Sequence, residues 1–131
     1  MTTAIVVDDD IDTCDVLTEY LELKNIQVLA NGSNGKEAVS LYQKHDPDLV
    51  FLDIMMPLYD GFYGLEKIKQ LDPTAIVIVI TGDLTTETYN KLKILKSSAI
   101  IYKPFDIEKI MQIIQKVTTE RLCNIILQQG V

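Results

Sequence analysis

The chain reads as an α/β protein: a single doubly wound, five-stranded parallel sheet with five helices. Three observations predict this. Apolar runs alternate with helical patterns five times along 131 residues. The longest runs are continuous rather than alternating, as in Leu49-Val50-Phe51-Leu52 and Ile76-Val77-Ile78-Val79-Ile80, which marks strands buried on both faces. Several runs end in an acid or a hydroxyl: Asp8-Asp9-Asp10, Asp53 and Thr81. In open α/β sheets the carboxyl ends of the strands form the ligand crevice.

Each element has its own signal. Residues 4–8 form the first strand, and residues 11–24 a helix with Cys14, Leu17 and Leu21 on one face, closed by Asn25. Ile26 to Ala30 is a short second strand, followed by a turn at Asn31-Gly32. Asn34, with Glu37 three residues on, starts a helix that stops before Asp46-Pro47. Residues 48–53 are the third strand. Asp60-Gly61 opens a helix to about Leu71, which Asp72-Pro73 breaks.

Residues 75–80 are the fourth strand. Thr85 to about Lys96 is a helix with Tyr89, Leu92 and Leu95 on one side. Ala99 to Tyr102 is the fifth strand, and Asp106 caps the last helix. The apolar period of that helix runs from Ile107 to about residue 128. It would be roughly 33 Å long at 1.5 Å per residue, more than a small sheet needs for its own cover. Residues 1–118 therefore read as one domain. Residues 119–131 read as an extension of the last helix, a dimerising or connecting segment.

Composition narrows the function. Hydrophobic residues make up 47% of the chain, enough for a full core rather than a disordered segment. A net charge of −7 argues against a broad contact with nucleic acid, which needs clustered Lys and Arg. No apolar run reaches the length of a membrane span and no basic region precedes one at the N-terminus, so a cytoplasmic location is the expectation. Cys14 and Cys123 have no metal-site spacing, and Cys14 reads as a core thiol.

The strand ends supply the chemistry. Asp8 and Asp9 close the first strand, Asp53 the third, Thr81 the fourth and Lys103 the fifth, all on one rim. Two unit charges 4 Å apart at an effective dielectric of 20 repel by about 4 kcal/mol. A hard divalent cation relieves such a cluster, and Mg²⁺ suits a few carboxylates plus waters. Acids, Mg²⁺, a lysine and a hydroxyl around one carboxylate are the equipment for phosphoryl transfer, with that carboxylate as nucleophile.

The chain resembles the receiver domain of two-component response regulators, in chemotaxis-regulator-like form. The matching pieces are Val7-Asp8-Asp9-Asp10, Leu52-Asp53-Ile54-Met55-Met56-Pro57, Asp60-Gly61, Ile80-Thr81-Gly82 and Lys103-Pro104-Phe105, spread in order over residues 4–118. The resemblance implies a flavodoxin-like strand order 2-1-3-4-5 and a phosphorylation-controlled signalling switch rather than an enzyme. Asp53 would accept the phosphoryl group from a sensor histidine kinase or phosphotransfer protein. Asp9, Asp53 and the backbone carbonyl of Met55 would hold Mg²⁺, with Asp8 assisting through water. Lys103 would pair with the phosphoryl group and Thr81 would bond it. The Lys103-Pro104 bond would be cis. Output would go to a downstream protein partner or an output domain, with a homodimer through the extended helix as a further arrangement and no direct contact with nucleic acid or membrane.

The chain departs from the family pattern in places. The aromatic residue usual three positions before the lysine is Ile100 here; Tyr102, two residues on, shares its strand face. Ser97-Ser98 stands near the usual Gly-Ala. Met55 and Asp83, each two residues after a site residue, occupy positions that tune the lifetime of the phosphorylated state in this family.

Other readings fit less well. A calcium loop starting at Asp8 puts Thr13 where glycine is needed and follows a strand, not a helix. An aspartyl-phosphate hydrolase with an Asp-x-Asp-x-Thr signature fails at Asp12. A receiver-like module that no longer takes phosphate is opposed by the intact set of Asp9, Asp53, Thr81 and Lys103. His45 is the single histidine; at a helix end it reads as a charge favourable to the dipole, not as a phosphate carrier.

Overall fold

The computed structural model describes residues 1–128. The end of the expected helical extension, residues 129–131, lies outside the described residues. Five strands, β1 (Thr3–Val7), β2 (Gln27–Gly32), β3 (Leu49–Leu52), β4 (Ile76–Thr81) and β5 (Ala99–Tyr102), alternate with five helices. The helices are α1 (Ile11–Leu23), α2 (Gly35–His45), α3 (Gly61–Leu71), α4 (Thr86–Ile94) and α5 (Ile107–Gln128). The strands pair in parallel in the order β2-β1-β3-β4-β5, so β1 and β3 are neighbours where the winding reverses. Every strand's carboxyl end therefore faces one rim.

The continuous apolar runs do what their pattern implies. Val50, Leu52, Val77 and Val79 pack on one face with Leu65, Ile68 and Leu92. Phe51, Ile78, Ile80 and Ile101 pack on the other with Leu17, Leu21 and Ile110. All of β3 and β4 is buried.

Local chemistry sets the helix ends. Asp10, Asn34, Asp60 and Thr85 each accept a hydrogen bond from a first-turn N–H. Asn25 adopts φ 64°, and the N–H groups of Asn25 and Ile26 donate to the carbonyls of Glu22 and Leu21, closing α1. Glu37 reaches back to the N–H and hydroxyl of Ser33, both at 2.7 Å, rather than to the capping residue itself.

Two expectations shift. Asn31 and Gly32 do not form a turn: they pair with Val6 and Val7, because β2 follows β1 to its end after a bulge that skips Leu29. Tyr89 is exposed; the inner face of α4 is Thr88 and Leu92 instead.

Leu58, in the loop between β3 and α3, is 92% exposed and holds φ 69°. An apolar side chain gains nothing there, and the left-handed conformation costs it about 1 kcal/mol that asparagine largely avoids. Leu58→Asn is expected to stabilise the fold by about 0.5–1 kcal/mol, read from its urea midpoint. A lowered midpoint would show that Leu58 makes a contact the fold needs.

Candidate functional site

The site forms where β1, β3, β4 and β5 end. Asp8 follows β1, and its N–H donates to the Gly32 carbonyl at 3.0 Å. Asp53 follows β3, and its N–H donates to the Val7 carbonyl at 2.9 Å. These bonds extend the ladder by one residue and hold the two carboxylates side by side. Both residues are only 6% exposed. Asp9 turns outward and is exposed, yet carboxylate oxygens of Asp8, Asp9 and Asp53 all lie within 4.8 Å of one another.

Lys103 enters from the loop after β5, where its N–H donates to the Thr81 carbonyl at 2.9 Å. Its Nζ donates to Asp8 Oδ2 at 2.9 Å and sits 3.7 Å from Asp53 Oδ2. The Lys103-Pro104 bond is cis, as the resemblance implied. Thr81, fully buried, accepts from the Asp83 N–H on its hydroxyl at 3.1 Å. The Asp83 carboxylate turns to α4, accepting from the Thr88 hydroxyl at 2.6 Å and the Thr85 N–H at 2.9 Å.

The electrostatics follow from the geometry. Burial pushes the Asp53 carboxyl up, and the Asp8 charge adds to this; Lys103 and the backbone N–H groups of Met55 and Ile54 oppose it, leaving a pKa of about 6. Burial alone would lower Lys103, but its bond to Asp8 and the charges of Asp53 and Asp8 raise it overall. The lysine is thus a fixed cation that neutralises only part of a three-acid cluster. The remaining negative charge and the oxygen-only donor set fit a small hard dication.

Lys103→Met leaves Asp8 and Asp53 facing each other without that cation. With 29% of the Lys103 side chain exposed, water screens part of the loss. Destabilisation of about 2 kcal/mol is expected at neutral pH, below the usual cost of breaking a fully buried pair. An unchanged urea midpoint would contradict this.

The structure brings the side chains of Asp8, Asp9, Asp53 and Lys103 together, while Thr81 joins them through its carbonyl, which accepts from the Lys103 N–H, and Met55 through its own N–H beside Asp53. Met55 is 64% exposed, and its N–H lies 3.4 Å from Asp53 Oδ1. Ile100 and Tyr102 line a hollow beside Tyr89 and Lys93 on the α4 side of β5, apart from the acids. Two roles were not apparent from sequence. Asp83 clasps the start of α4, for which the Asp83-x-Thr85 spacing of an Asx turn was the available signal. Gly61 lies directly against the Asp53 backbone, a contact between segments that no local pattern announces.

Comparison with known proteins agrees with this geometry. The family model described as the response regulator receiver domain matches residues 4–115. The chemotaxis protein CheY of Halobacterium salinarum is 35% identical over 115 residues, covering 88% of this chain and 95% of that protein. The CheY of Bacillus subtilis is 32% identical, covering 86% and 93%. Among solved structures, the CheX-CheY-BeF3-Mg²⁺ complex from Borrelia burgdorferi contains a chain 30% identical with a TM-score of 0.85, covering 89% of each chain. From its sequence, its strand order and the acids at its carboxyl rim, the chain belongs to the response regulator receiver domain family, whose members are regulatory switches rather than enzymes in the usual sense.

Proposed function

We propose that this chain is a switch set by phosphorylation of Asp53. One observation carries the reading: oxygens of three carboxylates lie within 4.8 Å of one another at the carboxyl rim of the sheet, with one ammonium group 2.9 Å and 3.7 Å from two of them. A carboxylate oxygen of Asp53 attacks phosphorus on a phosphorylated histidine of a kinase or phosphotransfer protein. The P–O bond forms as the P–N bond breaks, and the electron pair stays on the imidazole nitrogen. Lys103 moves its charge from Asp8 toward the incoming phosphoryl oxygens. Thr81 accepts from Asp83 and still has its hydroxyl proton to donate to them.

Asp9, Asp53 and the Met55 carbonyl would hold Mg²⁺, with Asp8 reached through water; the three-carboxylate donor set and its residual charge fit that ion. When bound, the ion supplies positive charge to the carboxylates and to the transferring group. Output follows from the new bond at Thr81, which shares its backbone with Asp83 and so with the start of α4. A downstream protein partner or output domain reads that change. Residues 1–118 carry this switch, and the α5 extension beyond them serves to connect or dimerise.

Intact-mass measurement after treatment with acetyl phosphate tests the reading. The parent gains one phosphoryl group with Mg²⁺ and none in EDTA, and Asp53→Asn gains none. Equal labelling of Asp53→Asn would refute Asp53 as acceptor. Met55 stands exposed beside the acceptor, where its side chain limits the approach of water to the acyl phosphate. Met55→Asn is expected to release phosphate several-fold faster; equal rates on a timed decay would count against that role.

A further inference from the structure

At the edge of the sheet opposite the acids, the start of β4, the loop before β5 and the end of α5 border a half-open cavity of about 370 Å³. Three cations line it: Lys69 near the end of α3, Lys96 after α4 and Arg121 on α5. In a chain of net charge −7, this gathering runs against the bulk charge.

The nearby acids offset these cations only in part: Asp72 feels the charges of Lys69 and Arg121. Glu120 lines the cavity and Asp72 lies beside it, but among the described residues the ion pairs within 4.0 Å are those of Lys103 alone. Asp72 is engaged elsewhere, accepting from the Tyr42 hydroxyl at 2.8 Å and from the Thr74 N–H and hydroxyl at 2.9 and 2.7 Å. Lys69 donates to the Ala75 carbonyl, which leaves two of its three protons. Burial lowers the Lys69 pKa; Asp72 opposes this, while the charges of Arg121 and Lys96 add to it, so the three cations feel one another.

Arg121 is the least satisfied. Its Nε is buried without a hydrogen-bond partner, and its Nη2 reaches only the Thr74 hydroxyl, at 3.4 Å. The terminal Nη groups of a guanidinium match the oxygens of a phosphate with two parallel donors. Val117 and Ile125 of α5 give the same cavity an apolar wall. Its volume lies in the usual range for small-molecule sites, about 300–1,000 Å³. Arg121 and Ile125 lie beyond the family-matched residues 4–115, so the α5 extension completes this cavity.

We propose that this cavity binds a small organic phosphate, its oxygens held by Lys69, Lys96 and Arg121 and its apolar part against Val117 and Ile125. The site is independent of Asp53 and of the switch proposed there. The test is calorimetric titration of the full chain in EDTA, with phenyl phosphate and with inorganic phosphate as probes. Phenyl phosphate is expected to bind saturably with Kd near or below about 1 mM, several-fold tighter than inorganic phosphate. Arg121→Gln should weaken it about tenfold, with Arg121→Lys recovering part of the loss. Thermal melting confirms that each variant is folded, and Lys96→Gln serves as a second probe of the same charge cluster. Asp53→Asn should bind as the parent does. Absence of saturable binding, or equal affinity in Arg121→Gln and Lys96→Gln, overturns the site. Loss of binding in Asp53→Asn instead places the probe among the acids and overturns it equally. Equal affinity for the two probes removes the apolar half of the assignment.

Discussion

Asp53→Asn should be more stable than the parent by about 2 kcal/mol at about pH 8 without divalent metal, and nearly equal to it at about pH 4. The Asp53 pKa of about 6 in the folded chain compares with about 3.9 for an unfolded aspartate. That rise corresponds to about 3 kcal/mol between its charged and neutral forms. The sign follows from proton linkage. Between about 4 and 6 the folded state binds more protons than the unfolded state, so stability falls as pH rises through that window. Above it the penalty is complete, and asparagine, which fills the same space without the charge, removes most of it. Divalent metal should narrow the gap, because it binds the folded parent at these carboxylates and gains less from the variant. Denaturant titrations at the two pH values, with and without Mg²⁺, check each part. A variant less stable than the parent at about pH 8 would mean that the Asp53 carboxylate is net stabilised in the fold.

Gly61→Ala should cost about 3 kcal/mol, the upper range for forcing an atom into a closed space. A Cβ at position 61 would fall inside contact distance of the Asp53 carbonyl oxygen and 2.7 Å from Ile54 Cα. Both are backbone atoms and cannot rotate away. The Gly61 N–H also donates to the Ile54 carbonyl at 3.1 Å, so the segment cannot back off without losing that bond. The clash lands on the acceptor itself, and the variant should also label more slowly with acetyl phosphate. Gly82, beside Thr81, has nothing within 4 Å of a built Cβ, so Gly82→Ala is a control for glycine replacement near the site. Equal urea midpoints for Gly61→Ala and the parent would contradict the contact.

Much of this was legible from residue order. Val50, Leu52, Val77 and Val79 leave no polar face, so β3 and β4 had to be interior, and interior parallel strands present all their carboxyl ends together. With β1 and β3 adjacent, Asp8 and Asp53 could hardly avoid each other. The capping residue Asn34 was legible because the bond it accepts from the Glu37 N–H spans three residues.

What stayed hidden depends on distances between segments. Sequence places Lys103 on the rim but does not say that it bonds Asp8 at 2.9 Å and only approaches Asp53 at 3.7 Å. It flags Gly61 as a helix start, not as the residue whose missing Cβ lets the loop lie against Asp53. It groups Tyr89 with Leu92 by period alone, whereas Thr88, fixed by its bond to Asp83, takes the inner position. The cavity under α5 needs Lys69 of α3, Lys96 of the turn after α4 and Arg121 of α5 to meet from segments far apart in the chain.

Acetyl phosphate with Mg²⁺, followed by borohydride reduction, converts an aspartyl phosphate to homoserine and marks the acceptor for peptide sequencing by mass spectrometry. Homoserine at position 53, with Asp8 and Asp9 intact, is the predicted result. Homoserine at position 8 or 9, or at none of the three, would contradict the assignment of Asp53 as the nucleophile of the cluster.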